Sequence, residues 1–109
     1  MLTKDLLRRL PKAELHVHLD GSLRLATLIE LAKEQKVKLP TADAEDLAHR
    51  MHVTDAHNLV EYLDRFKVTL SVMQRPDALE RIAFELVEDG VADGVPYMEI
   101  RYSPIQHTH

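Results

Sequence analysis

The chain has 109 residues, 45% hydrophobic and 29% charged, a balance that excludes a disordered tail and fits a folded soluble domain. Eighteen acidic against 14 basic residues leave a formal net charge of −4, and the basic residues are scattered, which argues against nucleic acid or an anionic membrane as partner. With no cysteine there is no disulfide, no thiolate metal ligand and no thiol nucleophile, in keeping with the cytoplasm as the expected location.

The opening MLTKDLLRRLPK mixes leucines with basic residues and Asp5, so it lacks the uninterrupted apolar run of a signal peptide and predicts a short helix leading to Pro11. No window approaches the ~20 apolar residues that would span a bilayer. Residues 13–19 form a brief apolar run closed by Asp20-Gly21, which predicts a buried strand ending in a turn. From residue 22 to 36 the period changes: Leu25, Leu28, Ile29 and Ala32 recur at helical spacing, with Ser22 available as N-cap. Between Val37 and His57 the pattern weakens, and KLPTADAED supplies turn residues and a short helix through Leu47. Leu59, Tyr62, Leu63, Phe66, Leu70 and Met73 then mark an amphipathic helix, with Glu61 and Arg65 spaced for an ion pair. Pro76 suits the first turn of the next helix, whose apolar face is Leu79, Ile82, Ala83 and Leu86 and whose stop is Asp93-Gly94. Finally VPYMEIRYSP alternates, with Met98, Ile100 and Tyr102 on one face and Tyr97, Glu99, Arg101 and Ser103 on the other, and Pro104 ends this second strand.

Two strands separated by helices imply a parallel pair joined by a crossover, an α/β arrangement. No repeat and no linker interrupts it, so residues 1–109 are expected to be one segment without an internal boundary. Parallel sheets are buried on both faces and require more than two strands, which makes the chain incomplete as a folding unit.

His16 and His18 fall in the first strand. Residues i and i+2 of a strand share a side and stand ~6.5–7 Å apart, from where two imidazoles can converge on one ion at ~2.0–2.1 Å each. The same spacing also suits two partly buried histidines bonded to backbone, and H-x-H alone does not separate the two. His49, His52 and His57 fall in the irregular middle and read as solvated surface. His107 and His109 repeat the spacing at the chain end, but a four-histidine site is disfavoured because chain ends are usually mobile. Glu99 and Arg101 read as a buried ion pair.

The stretch LPKAELHVHLDGSL resembles the opening of the adenosine deaminase family, metal-dependent hydrolases on a (β/α)8 barrel whose first strand carries H-x-H followed by L-D-G. VPYMEIRYSP is similar to that family's second-strand segment, with its E-x-R-Y-S-P, and the helix NLVEYLDRFKVTLSVMQ between them resembles the family in position and pattern. The resemblance implies the N-terminal part of a (β/α)8 TIM-type barrel, about two parallel strands plus helices. It implies that His16 and His18 are ligands of a zinc cofactor, with His18 also at the substrate. Asp20 matches the carboxylate that hydrogen-bonds the ribose 5′-hydroxyl, where relatives taking free adenine tend to carry Glu, so a purine nucleoside is the implied substrate. A turn-forming or capping role for Asp20 stays open from its own chemistry. Leu59, Tyr62, Leu63 and Phe66 match the family's apolar helix over the purine pocket, and plain core packing is the other reading of that stripe.

The implied reaction takes adenosine and water to inosine and ammonia. The family completes its site with a third His, an Asp, a Glu acid and another His on later strands, which these residues do not contain. No catalytic residue is therefore expected in this chain, and alone it is expected not to deaminate. A barrel typically takes ~250 residues, so the C-terminal remainder is the expected partner. Zinc deaminases of the other architecture, H-x-E with P-C-x-x-C, need cysteines that are absent. The alternatives are a non-catalytic binding or regulatory module that docks through an exposed sheet edge, or a deaminase of another adenosine-like nucleoside or of adenine.

Overall fold

The computed structural model describes residues 1–52 and 57–109, so part of the irregular middle expected between 37 and 57 lies outside the described residues. Helix α1, Lys4–Arg9, starts where Thr3 Oγ1 accepts from Leu6 N at 3.1 Å, and Leu10 turns extended before Pro11. Strand β1, Ala13–His18, pairs in parallel with β2, Tyr97–Arg101, in the register Ala13 with Tyr97, Glu14 with Met98, Val17 with Ile100 and His18 with Arg101. Between the inner two of these pairs β1 advances three residues while β2 advances two, so β1 carries a one-residue bulge just before its histidines emerge. Among the described residues four α-helices make the crossover: α2, Leu25–Gln35; α3, Ala44–Met51; α4, Leu59–Leu70; and α5, Pro76–Ala92. Two parallel strands joined by a helical crossover are the arrangement expected for the start of a (β/α)8 barrel.

The core lies between the strand pair and the helices. Val17, Met98 and Ile100 pack onto Leu19, onto Leu28, Leu31 and Ala32 of α2, and onto Ala78, Ile82 and Leu86 of α5. The other sheet face, with His16, His18, Tyr97, Glu99 and Arg101, is exposed. The strand expected to be buried is thus half covered, because among the described residues its second face is left open except where α4 brings Phe66 near His18. The total accessible surface is 7884 Å², where a free-standing monomer of 12.5 kDa would show about 6,200 Å². Among the described residues no helix is long and apolar enough to cross a membrane.

Several boundaries differ from expectation for local reasons. Ser22 does not cap α2; its Oγ donates to the His18 carbonyl at 2.5 Å, and Arg24 occupies the N-cap instead. Helix α4 ends at Leu70, and Val72 and Met73 enter the core from the turn that follows. Strand β2 stops at Arg101, leaving Tyr102 exposed. Helix α3 starts at Ala44, where Asp43 Oδ1 accepts from the amides of Glu45 and Asp46 at 2.9 and 3.4 Å, and runs beyond Leu47 to Met51. Gly94 ends the α5–β2 turn at φ +73°, and its carbonyl accepts from Lys12 N at 3.0 Å, which ties the N-terminal segment to that turn.

Candidate functional site

The imidazoles of His16 and His18 meet on the open sheet face, Nε2 to Nε2, at 3.0 Å. Which ring donates in that contact depends on the tautomers. Two imidazole nitrogens sharing one zinc at ~2.0–2.1 Å each stand roughly 3.3 Å apart at the tetrahedral angle, so the pair is close to the spacing that ion needs. A structural or catalytic zinc takes three or four protein ligands. Among the described residues no group of three or more His, Cys, Asp or Glu could hold a metal ion.

Beyond β1, a single 3₁₀ turn, Leu19–Gly21, carries the next polar group. Leu19 is buried in the core and fixes the turn from below. The Asp20 side chain is 21% exposed, and its Oδ1 is buried without a hydrogen-bond partner, 3.8 Å from His18 Nδ1 and so beyond hydrogen-bond reach. A buried carboxylate oxygen left unbonded is costly and marks where a donor belongs.

Helix α4 closes over this turn. Asn58 starts it by accepting from Glu61 N at 3.0 Å, while Glu61 Oε2 reaches back to accept from His57 N at 2.9 Å. The Arg65 guanidinium, expected to pair with Glu61, donates to the His52 carbonyl. A Cβ on Gly21 would stand 3.3 Å from Phe66 Cε1, so the missing side chain lets α4 approach the turn. The Phe66 ring lies 6.5 Å from that of His18, and Tyr62 meets Phe66 edge-on at 5.5 Å. Together they bound a cavity of about 370 Å³ that also touches His16, Asp20 and, at its apolar wall, Leu25, Leu28 and Met51. Leu59 and Leu63, from the same stripe, do not line it and are 68% and 51% exposed.

The other histidines stay apart from this pair. His49 is exposed in the last turn of α3, and His52 and His57 are exposed near it. His107 Nδ1 bonds the Met73 carbonyl at 2.9 Å beside the Tyr102 ring, and His109 N donates to Gln74 Oε1 at 2.9 Å, so the chain end is tied to the α4–α5 turn rather than loose. Glu99 and Arg101 do not form the expected buried ion pair. Both are exposed; Glu99 Oε1 accepts from Tyr97 Oη at 2.8 Å, and Arg101 Nη2 points to the Leu15 carbonyl at 3.5 Å.

Sequence reasoning missed a charged network behind the turn. Arg24 Nε lies 3.1 and 3.2 Å from the two Asp89 oxygens, and its Nη2 lies 2.8 Å from Asp89 Oδ1 and 3.4 Å from Glu88 Oε1. The hydrogen bond to Asp89 raises its pKa above the ordinary arginine value, helped by the neighbouring carboxylates. Beside it, Glu85 is 9% exposed, accepts from Thr27 Oγ1 at 2.5 Å and from Arg81 Nε at 2.9 Å, and Arg81 Nη2 reaches Glu30 at 2.7 Å. Burial pushes the Glu85 carboxyl up, but the bonds from Thr27 and Arg81 and the charges of Arg81 and Arg24 outweigh it and hold it below the usual carboxylate range. Acidic residues at 85, 88 and 89 share one helix face, which was the available signal.

Comparison with known proteins follows the same outline. The family model described as adenosine deaminase matches residues 11–109. A Dictyostelium discoideum protein named probable adenosine deaminase is 53% identical over 108 residues, 98% of this chain and 14% of that protein. Among solved structures, the adenine deaminase of Arthrobacter aurescens superimposes with a TM-score of 0.77 at 31% identity, over 88% of this chain and 28% of that one. An amidohydrolase of Burkholderia ambifaria with bound zinc gives 0.76 at 28% identity, over 95% and 28%. The chain therefore spans less than a third of the length of each of these proteins.

Proposed function

The chain belongs to the adenosine deaminase family, and from that premise we propose that it supplies half of a zinc site and the ribose contact of an enzyme converting adenosine and water to inosine and ammonia. The observation that carries the reading is the meeting of His16 and His18 at 3.0 Å beside a cavity that also holds the unbonded Asp20 Oδ1. His16 and His18 would hold the zinc; bound there, it supplies Lewis-acid activation of water near neutral pH. Asp20 Oδ1 accepts the hydrogen bond of the ribose 5′-hydroxyl, which satisfies the one buried side-chain atom lacking a partner among the described residues. Phe66 and Tyr62 cover the purine face and keep water from it. A cavity lined by imidazole and carboxylate as well as by Leu25, Leu28 and Met51 suits a nucleoside, which offers both polar groups and a flat apolar base.

The acid that protonates N1 and the remaining zinc ligands come from the rest of the barrel, which is the partner of this chain. Support comes from the excess surface, about 1,700 Å² above that of a free-standing monomer, and from the uncovered sheet face that carries the histidines. Ammonia release from adenosine tests the reading, first with the chain and zinc alone and then with the chain co-expressed with a C-terminal barrel remainder. No turnover is expected from the first and zinc-dependent turnover from the second. Turnover by the chain alone, or none by the assembly, overturns it.

A further inference from the structure

We propose that Arg24 is a positioning residue for the substrate-binding turn: by clamping the exit of Leu19–Gly21 to α5, it holds Asp20 at the sugar end of the cavity. This rests on the reading of Asp20 as the ribose contact. The entry of the turn is fixed by the pairing of His18 with Arg101 and by buried Leu19, and Ser22, which follows the turn, ties back to the His18 carbonyl through its Oγ. Its exit is Arg24, four residues after Asp20, at the N-cap of α2, where its side chain makes no capping bond.

A cation at that end of a helix opposes the helix dipole, so its presence needs another account. That account is the row of acidic residues on α5, where Asp89 binds the guanidinium at 3.1, 3.2 and 2.8 Å and Glu88 at 3.4 Å, while Nη2 also reaches the Glu85 carbonyl at 3.5 Å. Helix α5 is itself held by Ala78, Ile82 and Leu86 in the core. Arg24 is 39% exposed and Asp89 51%, so their pairing adds little to global stability. What a forked, two-nitrogen contact does supply is a fixed place and direction for the chain that carries it. Losing it should therefore loosen the turn more than the fold.

The test is steady-state kinetics of the assembled deaminase, this chain with the remainder of its barrel, on adenosine and on 5′-deoxyadenosine, which lacks the hydroxyl that Asp20 would bind. Arg24→Gln is expected to raise KM for adenosine about tenfold with kcat within about threefold, and to leave kcat/KM for 5′-deoxyadenosine within about twofold. Arg24→Lys keeps the charge without the fork and should fall between the two. Should Arg24→Gln fail to fold, Asp89→Asn weakens the same clamp while Glu85 keeps Thr27 and Arg81, and the same split is expected at smaller size. Equal loss on both nucleosides, or loss confined to kcat, overturns the inference and leaves the proposed function standing. A wild-type assembly that deaminates neither nucleoside overturns the proposed function and the inference with it.

Discussion

Thr27 Oγ1 donates to Glu85 Oε2 at 2.5 Å across the α2–α5 interface, where both residues are buried. Removing the hydroxyl leaves a buried carboxylate oxygen short of a partner, so Thr27→Val is expected to cost about 1–3 kcal/mol, read by urea denaturation. The same pair sets a pH dependence. The Glu85 carboxyl titrates lower in the folded chain than in the unfolded one, so its contribution is full above the unfolded value of about 4.5 and is lost as pH falls through the folded value. Denaturation midpoints measured from pH 6 downward should fall more steeply in the wild type than in Glu85→Gln.

Zinc binding should depend on both imidazoles of the H-x-H pair. Equilibrium dialysis of the chain at neutral pH is expected to show one weakly held zinc, lost in His16→Ala and in His18→Ala and retained in His49→Ala. Zinc binding should weaken as the pH falls, because both ring nitrogens must be unprotonated to ligate.

Gly94 should tolerate no side chain. Its φ is +73°, and a Cβ there would stand 2.1 Å from the Arg8 carbonyl oxygen, a backbone atom that cannot swing aside. Gly94→Ala is expected to destabilise by about 2–4 kcal/mol. Helix α1, Lys4–Arg9, should separate first, which faster cleavage after Arg8 or Arg9 by trypsin would reveal.

Lys36 offers the opposite case. It closes α2 in the left-handed region at φ 56°, with Val37 N bonded to the Ala32 carbonyl at 2.8 Å. Glycine adopts that conformation without the clash, so Lys36→Gly should stabilise by roughly 0.5–1 kcal/mol in thermal melts, and Lys36→Val should destabilise.

Helical and alternating periods in the sequence lead to the same element order that the structure shows, two parallel strands with helices between, because those periods reflect which face of each element is covered. What they miss depends on partners far along the chain. Ser22 has the chemistry of an N-cap, yet the nearby His18 carbonyl takes its hydroxyl. Arg24 finds its carboxylates more than sixty positions away. The stripe Leu59, Tyr62, Leu63 and Phe66 spreads around more of α4 than one wall can use, so Tyr62 and Phe66 face the cavity while Leu59 and Leu63 face outward. The unbonded Asp20 oxygen leaves no trace in sequence, since an Asp-Gly turn looks alike with or without it.

The pairing of Ala13 with Tyr97 joins positions 84 apart, and it is the contact that orders the strand bearing both histidines. Closing a loop of that length costs roughly 4 kcal/mol in its length-dependent part, and long-range parallel pairing is among the slower steps of folding. During synthesis β1 leaves the ribosome early and must wait, unpaired, until β2 follows it out. A zinc ion arriving in that interval meets two histidines on a flexible segment rather than two nitrogens 3.0 Å apart. On the proposed reading, metal loading would come no earlier than translation and pairing of the second strand.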